Sequence, residues 1–360
     1  MPDYHFIDLA HPEAACAALA GASRIGVDTE FMREKTYSAK LCLVQFAVGE
    51  EYWCADPLQA TELDEFWDTL LAPGWVVHAG RQDFEVVLAA AGRLPTDVFD
   101  TQVAAALLGH APQIGYANLV RELFGADLAK SQTRADWSRR PLSPEALSYA
   151  AEDVEWLLPA WETLARELDR RGRLGWAQED SLALTDPALY ASDPGQAVER
   201  VKAAKNLRGR ARRAAEMLAA WRERRAEKSD KPRQWILRDN VLVEIAASDP
   251  RSTAALGAID GLPAGTLRRS GDELLGLLRD AATGDDSYEP PGRPDEAQKA
   301  LLKALQKRVA ATAKELGIAA EVLAPRRELA AAAAGERNLR VFSGWRDGVV
   351  GRDLKRLLDS

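Results

Sequence analysis

The sequence predicts an α/β domain with a mixed sheet on the N-terminal side, followed by two all-α helical modules. In the first half of the 360 residues, short segments rich in β-forming residues alternate with helical patterns. The second half is rich in alanine, the strongest helix former, and has helical periodicity through 205–282 and 295–360. Proline, glycine and acidic residues separate these two helical stretches.

The same signals predict the domain boundaries. At about 150 residues per domain, the length fits two or three domains. Turn signals at 185–187 and 192–195 indicate a connector after the α/β domain. We predict an α/β domain at 1–175, a connector at 176–204, a first helical domain at 205–282, a linker at 283–294 and a second helical domain at 295–360.

The first three predicted strands lie at 23–30, 41–48 and 51–55. Their connections are too short for crossover helices, so we expect antiparallel neighbours. A helical pattern follows at 62–71, and 75–78 has the continuous apolar character of a buried strand.

The rest of this domain is predicted to be helical. Helical patterns lie at 82–91, 101–108 and 117–124. Gly125 is placed to end the last of them. In the next helix Ser143 supplies a capping hydroxyl and Pro144 a first-turn proline. We expect this helix to kink at Pro159 and to continue to about residue 171.

Composition excludes several classes of protein. No run of about 18 apolar residues is present, which predicts no membrane span. The N-terminus lacks the pattern of a secretory signal, and the three scattered cysteines indicate reduced thiols, so we expect a cytoplasmic protein. Any metal would be held by carboxylates, which favour Mg²⁺ or Mn²⁺ over zinc.

Charge is distributed unevenly along the chain, whose net charge is −8. Residues 1–175 contain 27 acidic and 15 basic side chains, whereas 176–360 contain 28 acidic and 32 basic ones. The segment 200–235 alone has 13 basic and 4 acidic side chains. This basic stretch indicates nucleic-acid binding, with a solvated helical face of mixed charge as the alternative.

Two carboxylates lie side by side on the first predicted strand. Asp28 and Glu30 are two residues apart, so their side chains point to the same face. Such a pair repels unless a basic neighbour or a divalent cation stabilises it, and Val27, Thr29 and Phe31 are not basic. Taken alone, the pattern also fits an exposed strand end with its acids in water.

Further acids lie on predicted helices. Asp83 is near the start of 82–91, where the helix dipole alone would favour it. Tyr149 and Asp153 are four residues apart on the capped helix and share a face. Small apolar residues surround Asp153 in the sequence, which indicates close approach to a charged group.

The order of these residues is more specific than any one of them. D-x-E on a strand, an Asp after a later strand and Y-x-x-x-D on a late helix resemble the tyrosine-bearing branch of the DEDD superfamily of 3′→5′ exonucleases. The segments at 27–31, 77–83 and 149–154 also match. The segments at 99–102 and 136–142 are similar to the ribonuclease D family, and this closer resemblance covers the full chain.

The resemblance implies a ribonuclease H-like nuclease domain followed by one or two HRDC modules, with two divalent ions, Mg²⁺ or Mn²⁺, as cofactors. The acids that match the metal ligands of the family are Asp28, Glu30, Asp83 and Asp153, and Tyr149 matches the tyrosine that helps hold the attacking water. By this resemblance, Asp28 bridges both ions. Glu30 and Asp153 serve the ion at the attacking water, and Asp83 acts largely through water on the other.

Substrate contacts are predicted from position in the sequence. Near the expected site, the candidates are His78, Gln82, Lys130, Arg134, Arg139 and Arg140. In the basic stretch, they are Arg208, Arg210, Arg212 and Arg213. For His78, a hydrogen-bonded structural histidine is the alternative. Trp235 fits a base-stacking residue or, more readily, a buried helical tryptophan.

The resemblance implies a metal-dependent 3′→5′ exoribonuclease that releases 5′-mononucleotides. Its expected substrates are tRNA precursors with 3′ extensions and other small structured RNAs. We expect a monomer that binds RNA and no membrane. One alternative is a DNA 3′→5′ exonuclease of the same superfamily. Another is a catalytically inactive RNA-binding protein, against which the presence of all four acids and the tyrosine argues.

Overall fold

A computed structural model of the chain describes residues 3–128, 135–283 and 294–359. The chain divides into two compact units. The first unit comprises Met1–Met32, Leu41–Leu189 and Pro294–Ser360, and the second comprises Arg33–Lys40 and Tyr190–Arg293. Within the described ranges, no helix is both long and apolar enough to cross a membrane.

The described residues of the first unit form a mixed sheet. Its strands are β1 (Tyr4–Asp8), β2 (Arg24–Met32), β3 (Lys40–Val48), β4 (Glu51–Asp56), β5 (Gly74–Val77) and β6 (Val98–Asp100). The strand order is β1-β4-β3-β2-β5-β6. The predicted antiparallel pairing of β3 with β4 is confirmed, and β1 is parallel to β4. β2, β5 and β6 run parallel to one another, with Gly26 of β2 opposite Val76 of β5. Because β5 ends at Val77, the carboxyl end of β2 extends beyond it.

The described part of the first unit before residue 190 also contains the helices α1 to α8. They are α1 (Glu13–Leu19), α2 (Asp64–Leu70), α3 (Arg81–Ala91), α4 (Thr101–Leu108), α5 (Tyr116–Phe124), α6 (Pro144–Glu155), α7 (Leu157–Arg170) and α8 (Leu174–Leu182). The predicted cap of α6 is confirmed, because Ser143 Oγ accepts a hydrogen bond from the backbone N–H of Ala146 at 3.2 Å. Gly125 ends α5 in the left-handed conformation, with φ 70°.

The long helix after Ser143 breaks earlier than predicted. The break lies at Trp156, between α6 and α7, and not at Pro159. Proline is tolerated in the first turn of a helix, where its missing N–H needs no partner, so Pro159 fits near the start of α7. The Trp156 N–H donates instead to the hydroxyl oxygen of Tyr116 at 3.0 Å. The break therefore lies three residues after Asp153.

The second unit contains the helices α9 (Gly209–Lys228), α10 (Arg233–Ile236), α11 (Asp239–Ser248), α12 (Thr253–Gly257) and α13 (Ala264–Thr283). Apolar side chains of α9, α11 and α13, among them Leu218, Leu242 and Leu274, form its core. Val198 and Val201 join the same core from the segment predicted as a connector. Turn signals alone did not predict this packing.

The segment 33–40 belongs to this second unit through specific contacts. The Tyr37 hydroxyl donates to the carboxylate of Glu223 at 2.7 Å, and the Arg233 guanidinium lies 4.6 Å from the centre of the Tyr37 ring. The backbone N–H groups of Tyr37 and Ser38 each donate to one carboxylate oxygen of Asp230 at 3.1 Å.

The C-terminal segment returns to the first unit. Its helices are α14 (Glu296–Leu316), α15 (Ala320–Leu323), α16 (Arg326–Ala333), α17 (Gly344–Arg346) and α18 (Arg352–Leu358). Leu305 and Leu354 pack in one core with Leu107 and Leu164 of α4 and α7. The helical content agrees with the sequence, but the shared core was not predicted, and the description of this segment as a second HRDC-like domain stays a prediction.

Candidate active site

The site is built first from β2 and α6. Asp28 and Glu30 lie on β2, and Asp153 lies in the last turn of α6. Each offers one carboxylate oxygen, and these three oxygens all lie within 4.8 Å of one another. All three side chains are half-buried. We call these residues the carboxylate cluster. The structure thus brings together three of the four acids predicted as metal ligands.

A glycine allows the helix to approach the strand this closely. A Cβ atom built on Gly26 of β2 would lie 3.0 Å from the Cβ of Leu157 and 3.4 Å from the carbonyl oxygen of Val154. Ala150 and Ala151, which are fully buried, keep the same stretch of α6 narrow. The absence of a side chain at Gly26 therefore sets the spacing between the acids of β2 and those of α6.

The fourth acid is held beside the cluster by the strand itself. Asp83 lies in the first turn of α3 and is buried. One of its carboxylate oxygens accepts hydrogen bonds from the N–H and the hydroxyl of Thr29, at 3.1 and 2.6 Å. Thr29 lies between Asp28 and Glu30, so this contact fixes α3 against the part of β2 that carries the cluster.

Asp100 holds the turn that leads into α3. Its carboxylate accepts hydrogen bonds from the backbone N–H of Ala79 at 3.1 Å and of Gly80 at 3.0 Å. It also caps α4 by accepting from the N–H groups of Gln102 and Val103. Ala79 has a left-handed φ of 56°, so the turn is strained and needs this support.

Burial and neighbouring carboxylates raise the pKa values of the four acids. Burial, then the neighbouring carboxylates, raise the pKa of Asp28 well above its ordinary value and that of Glu30 to about 8. Burial raises the pKa of Asp153 to about 7 and that of Asp83 to about 6, although the hydrogen bonds from Tyr149 and Thr29 oppose these shifts. Without a counter-charge, these carboxylates therefore compete with one another for the ionised form.

This donor set fits divalent cations. Mg²⁺ and Mn²⁺ prefer oxygen ligands, and converging carboxylates supply both the atoms and the negative charge. The positive charge of a dication would also offset the burial and the repulsion that raise these pKa values. The residues present therefore fit the metal-binding role implied by the sequence.

Tyr149 stands next to the cluster on α6. It is half-buried, and its hydroxyl hydrogen-bonds to the carboxylate of Asp153. Burial, followed by the charge of Asp153, raises the Tyr149 pKa far above its ordinary value. The phenol is therefore neutral near pH 7, with its O–H donated to Asp153 and its oxygen lone pairs available to accept from water.

Two predicted substrate contacts prove to have structural partners. His78 Nε2 lies 2.9 Å from the carbonyl oxygen of Ile114, and Nδ1 lies 2.9 Å from the hydroxyl of Thr101. Because both ring nitrogens are engaged and burial lowers the pKa of His78, the structure corresponds to the structural alternative and not to a phosphate contact.

Arg140 is likewise part of the framework. Its guanidinium pairs with the buried carboxylate of Asp56 and donates to the carbonyl oxygens of Cys42 and Trp137 at 2.7 and 2.8 Å. All five guanidinium N–H groups of Arg140 are engaged, so it has no donor left for a phosphate. Asp56 and Cys42 lie far from Arg140 in the sequence, so a local pattern could not predict this pairing. Gln82 and Arg139, by contrast, are exposed. Lys130 and Arg134 lie outside the described residues.

The basic stretch is also largely engaged in packing. Arg212 is 2% exposed and pairs with Glu199 and Glu216 at 2.5 and 2.7 Å. Arg210 pairs with Asp249 at 2.8 Å, and Arg213 donates to the carbonyl oxygen of Ala281 at 2.9 Å. The buried and doubly paired Arg212 therefore holds α9 in its own unit and does not reach RNA, whereas the RNA contacts of the half-buried Arg210 and Arg213 stay predictions.

Arg208 differs from Arg210 and Arg212, which pair with acids. It is exposed, and among the residues that the structure describes its guanidinium donates only to the carbonyl oxygens of Lys205 and Leu207, at 3.2 and 3.0 Å. No acidic group neutralises it in these contacts.

Several functional positions were missed by the analysis of the sequence. Thr29, Gly26 and Tyr116 act through contacts with residues far away in the chain, and no local signal identified them. Asp100 had such a signal, because an Asp immediately before a helical pattern is a typical N-cap.

Comparison with known proteins extends this picture. A family model described as 3′-5′ exonuclease matches residues 6–169, and the HRDC domain model matches residues 211–278. The chain is 38% identical to "Ribonuclease D" of Acidiphilium cryptum, over 96% of this chain and 90% of that protein. It is 36% identical to "Ribonuclease D" of Xanthomonas oryzae pv. oryzae, over 98% of each.

A solved structure covers the same length. The crystal structure of Escherichia coli RNase D, described as an exoribonuclease involved in structured RNA processing, superposes with a TM-score of 0.89. The two chains are 30% identical, and the match covers 99% of each. The correspondence therefore includes both units and the C-terminal segment.

Proposed function

This chain belongs to the ribonuclease D family and is a 3′→5′ exoribonuclease, and from that premise we propose that its carboxylate cluster and Asp83 hold the two divalent cations of the reaction. The observation that carries the proposal is the convergence of Asp28, Glu30 and Asp153 within 4.8 Å. Each round of hydrolysis would release the terminal nucleotide as a 5′-mononucleotide.

The cations and the protein have separate tasks. When bound, Mg²⁺ or Mn²⁺ would acidify the attacking water and neutralise charge on the scissile phosphate and the departing 3′ oxygen. The charges of Asp83, Asp153 and Glu30 all act on Asp28, and its carboxylate converges with those of Glu30 and Asp153. Asp28 would therefore serve both ions, which is the role that the family resemblance implies for it. Glu30 and Asp153 then serve the ion on the side of the attacking water.

Asp83 has a different role because half of its carboxylate is engaged. One oxygen is occupied by the two hydrogen bonds from Thr29. Only the second oxygen remains for a cation or for its water ligands. This supports the assignment of Asp83 to the other ion, largely through water.

Tyr149 orients the attacking water. Its hydroxyl hydrogen is donated to Asp153, so its oxygen accepts a hydrogen bond from the water and turns the lone pair of the water towards phosphorus. The raised pKa keeps the phenol protonated near pH 7, so Tyr149 positions the water and does not deprotonate it.

We propose tRNA precursors with 3′ extensions, and other small structured RNAs, as the substrates. The Escherichia coli relative is described as acting in structured RNA processing, and the HRDC domain at 211–278 supplies a second region for RNA contact. Of the predicted contacts, Gln82, Arg139 and Arg208 are exposed and available to RNA. Lys130 and Arg134 keep the roles predicted from the sequence. We further propose that the protein acts as a monomer in the cytoplasm.

The test is a time course on a 5′-labelled tRNA that carries extra 3′ nucleotides, with a DNA strand of the same sequence alongside. Each is incubated with Mg²⁺, with Mn²⁺ or with chelator. We expect a ladder that shortens stepwise from the 3′ end on RNA only and disappears with chelator. Tyr149→Phe should lower the rate at least tenfold while RNA binding in chelator stays unchanged.

A matched pair of variants tests the location of the chemistry. Asp28→Asn removes the proposed shared ligand, whereas Asp64→Asn makes the same change at an exposed acid of α2. We expect Asp28→Asn to abolish the ladder and Asp64→Asn to leave it intact. Equal ladders on RNA and DNA would identify a general exonuclease, and a full ladder from Asp28→Asn would refute the assigned site.

A further inference from the structure

Trp235 is an exposed aromatic side chain of the second unit. It is 59% exposed, whereas tryptophan is highly buried on average in folded proteins. The next two residues, Ile236 and Leu237, pack into the core of the unit. The short helix α10 therefore buries its aliphatic residues and leaves the indole in solvent. This corrects the expectation of a buried helical tryptophan.

The indole lines a cleft of about 480 Å³. The lining residues are Gln234, Trp235, Leu237, Arg238, Gly261 and Pro263. None of these six residues is acidic, so the cleft combines apolar walls with hydrogen-bond donors. A cleft of this kind offers a flat aromatic surface together with sites for an anionic ligand.

The polar groups around the indole are free to donate. Arg238 is exposed, and within the described ranges its guanidinium has no hydrogen-bond or ion-pair partner. The amide oxygen of Gln234, an exposed residue, accepts from the N–H of Asp239 at 3.2 Å, which leaves its NH₂ group available to donate. The carboxylate of Asp239 already pairs with Arg222 at 2.6 Å. The carboxylate that adjoins Arg238 in the sequence is therefore already paired.

We propose that this cleft binds one unpaired nucleotide of the RNA substrate. The indole stacks on the base, the Arg238 guanidinium pairs with an adjoining phosphate, and the Gln234 amide donates to the base or the ribose. Stacking on an aromatic ring tolerates every base, so the site holds single-stranded RNA without selecting a sequence. The inference rests on the proposed function, because trimming of 3′ extensions presents unpaired nucleotides to the protein.

The charge of the site favours RNA over a protein partner. Lys231, which is also exposed, adds a second cation four residues before Trp235. A surface made of an aromatic ring and unpaired cations matches a base and its phosphates. In a two-fold contact, a second copy of the chain would present the same cations to this surface and would be repelled.

The experiment measures binding of the full chain to a single-stranded RNA that contains 2-aminopurine, with chelator present so that the strand stays intact. Stacking on an indole quenches 2-aminopurine, so the signal reports the contact itself. Removing one stacking contact weakens binding by about 5- to 150-fold. We expect Trp235→Ala to weaken binding within this range and to abolish the quenching. Trp235→Phe, which keeps an aromatic face, should restore most of both.

Salt dependence separates stacking from charge. For single strands, each lost phosphate contact lowers the slope of log K against log salt by about 0.7. We expect Arg238→Ala to lower the slope by this amount, Arg238→Lys to preserve it and Trp235→Ala to leave it unchanged. Leu189→Ala, a truncation of another exposed apolar side chain in the first unit, is the control and should change nothing.

The outcomes separate this inference from the proposed function. Wild-type affinity and full quenching in Trp235→Ala would overturn the nucleotide site, even if the wild-type chain degrades RNA from its 3′ end. Loss of self-association in Trp235→Ala, measured by sedimentation at unchanged RNA affinity, would overturn it in favour of a contact between copies. If the wild-type chain binds through Trp235 but shows no metal-dependent degradation, the proposed function fails and the nucleotide site stands.

Discussion

Replacing Gly26 by alanine should separate the two elements that form the carboxylate cluster. The new Cβ would lie 3.0 Å from the Cβ of Leu157 and 3.3 Å from its Cδ1, whereas ordinary contacts are 3.4–4 Å. α6 and α7 must therefore move away from β2 by about half an ångström. Overpacking of this kind costs about 1–3 kcal/mol of folding stability.

The displacement acts directly on metal binding. Asp153 lies four residues before Leu157, and its carboxylate oxygen is within 4.8 Å of those of Asp28 and Glu30. A shift of about 1 Å in a catalytic constellation can cost about 100-fold in rate, so we expect about a tenfold loss for a shift half as large. The loss should be greatest at limiting Mg²⁺, because the wider cluster binds the cation less tightly.

The assay combines thermal unfolding in chelator with exonuclease rates over a series of Mg²⁺ concentrations. Gly175→Ala is the control, because a Cβ at Gly175 would meet nothing within 4 Å. That change should leave the rate unchanged and raise stability by about 0.4–1 kcal/mol. If Gly26→Ala keeps the wild-type Mg²⁺ dependence and rate, the close approach does not set the geometry of the site, and the reasoning fails.

Three further predictions concern the framework and the charge of the site. Asp100→Asn places an NH₂ group against a backbone N–H, so it should lower the free energy of unfolding by about 1–3 kcal/mol and reduce activity. The same change at the exposed Asp97 should do neither. Thermal unfolding and exonuclease rates measure both effects. Arg140→Ala leaves the buried carboxylate of Asp56 without its partner, so it should lower the free energy of unfolding by about 3 kcal/mol without changing the salt dependence of RNA binding. If Arg139 contacts phosphate, Arg139→Ala should reduce that salt dependence and leave the stability unchanged. In the metal-free protein, the pKa values of the four acids are higher in the folded state than in the unfolded state, so the folded state binds more protons. The free energy of unfolding should therefore fall as the pH rises from about 4, the ordinary pKa of these acids, to about 8, the pKa of Glu30. Unfolding temperatures in chelator should follow this slope, and Mg²⁺ should remove it; a stability that rises through that window would contradict the proposed electrostatics.

The chemistry of the site could be predicted from the sequence because it depends on local spacing. The alternation of side chains in a strand places Asp28 and Glu30 on one face, and the cap at Ser143 sets where α6 begins. These features need only a few neighbouring residues. The order of the acids along the chain then supplied the resemblance to a family.

Contacts between distant residues could not be predicted in this way. Charge and position in the sequence predict Arg140 and Arg212 as RNA contacts. In the structure, each pairs with acids from other parts of the chain. A local pattern shows that a side chain is charged but not which partner reaches it. The exposure of Trp235 was missed for the same reason, because periodicity does not show what covers each face of a short helix.

The placement of the C-terminal segment shows a similar limit. An apolar stripe in 295–360 predicts that its helices bury one face. The stripe does not show whether that face packs against the same segment or against another part of the chain. In the structure, Leu305 and Leu354 share a core with Leu107 of α4. The short strands β1 and β6 were missed because five and three residues hold too little periodicity.

The central claim is that the carboxylate cluster hydrolyses RNA from the 3′ end with the help of divalent cations. The most direct measurement is the rate of 5′-mononucleotide release from a 3′-end-labelled RNA, over a series of Mg²⁺ concentrations, for the wild type and Asp153→Asn. We predict Mg²⁺-dependent release of single nucleotides by the wild type and a loss of at least 100-fold in the variant. Release that continues in chelator, or at the wild-type rate in Asp153→Asn, would contradict the account.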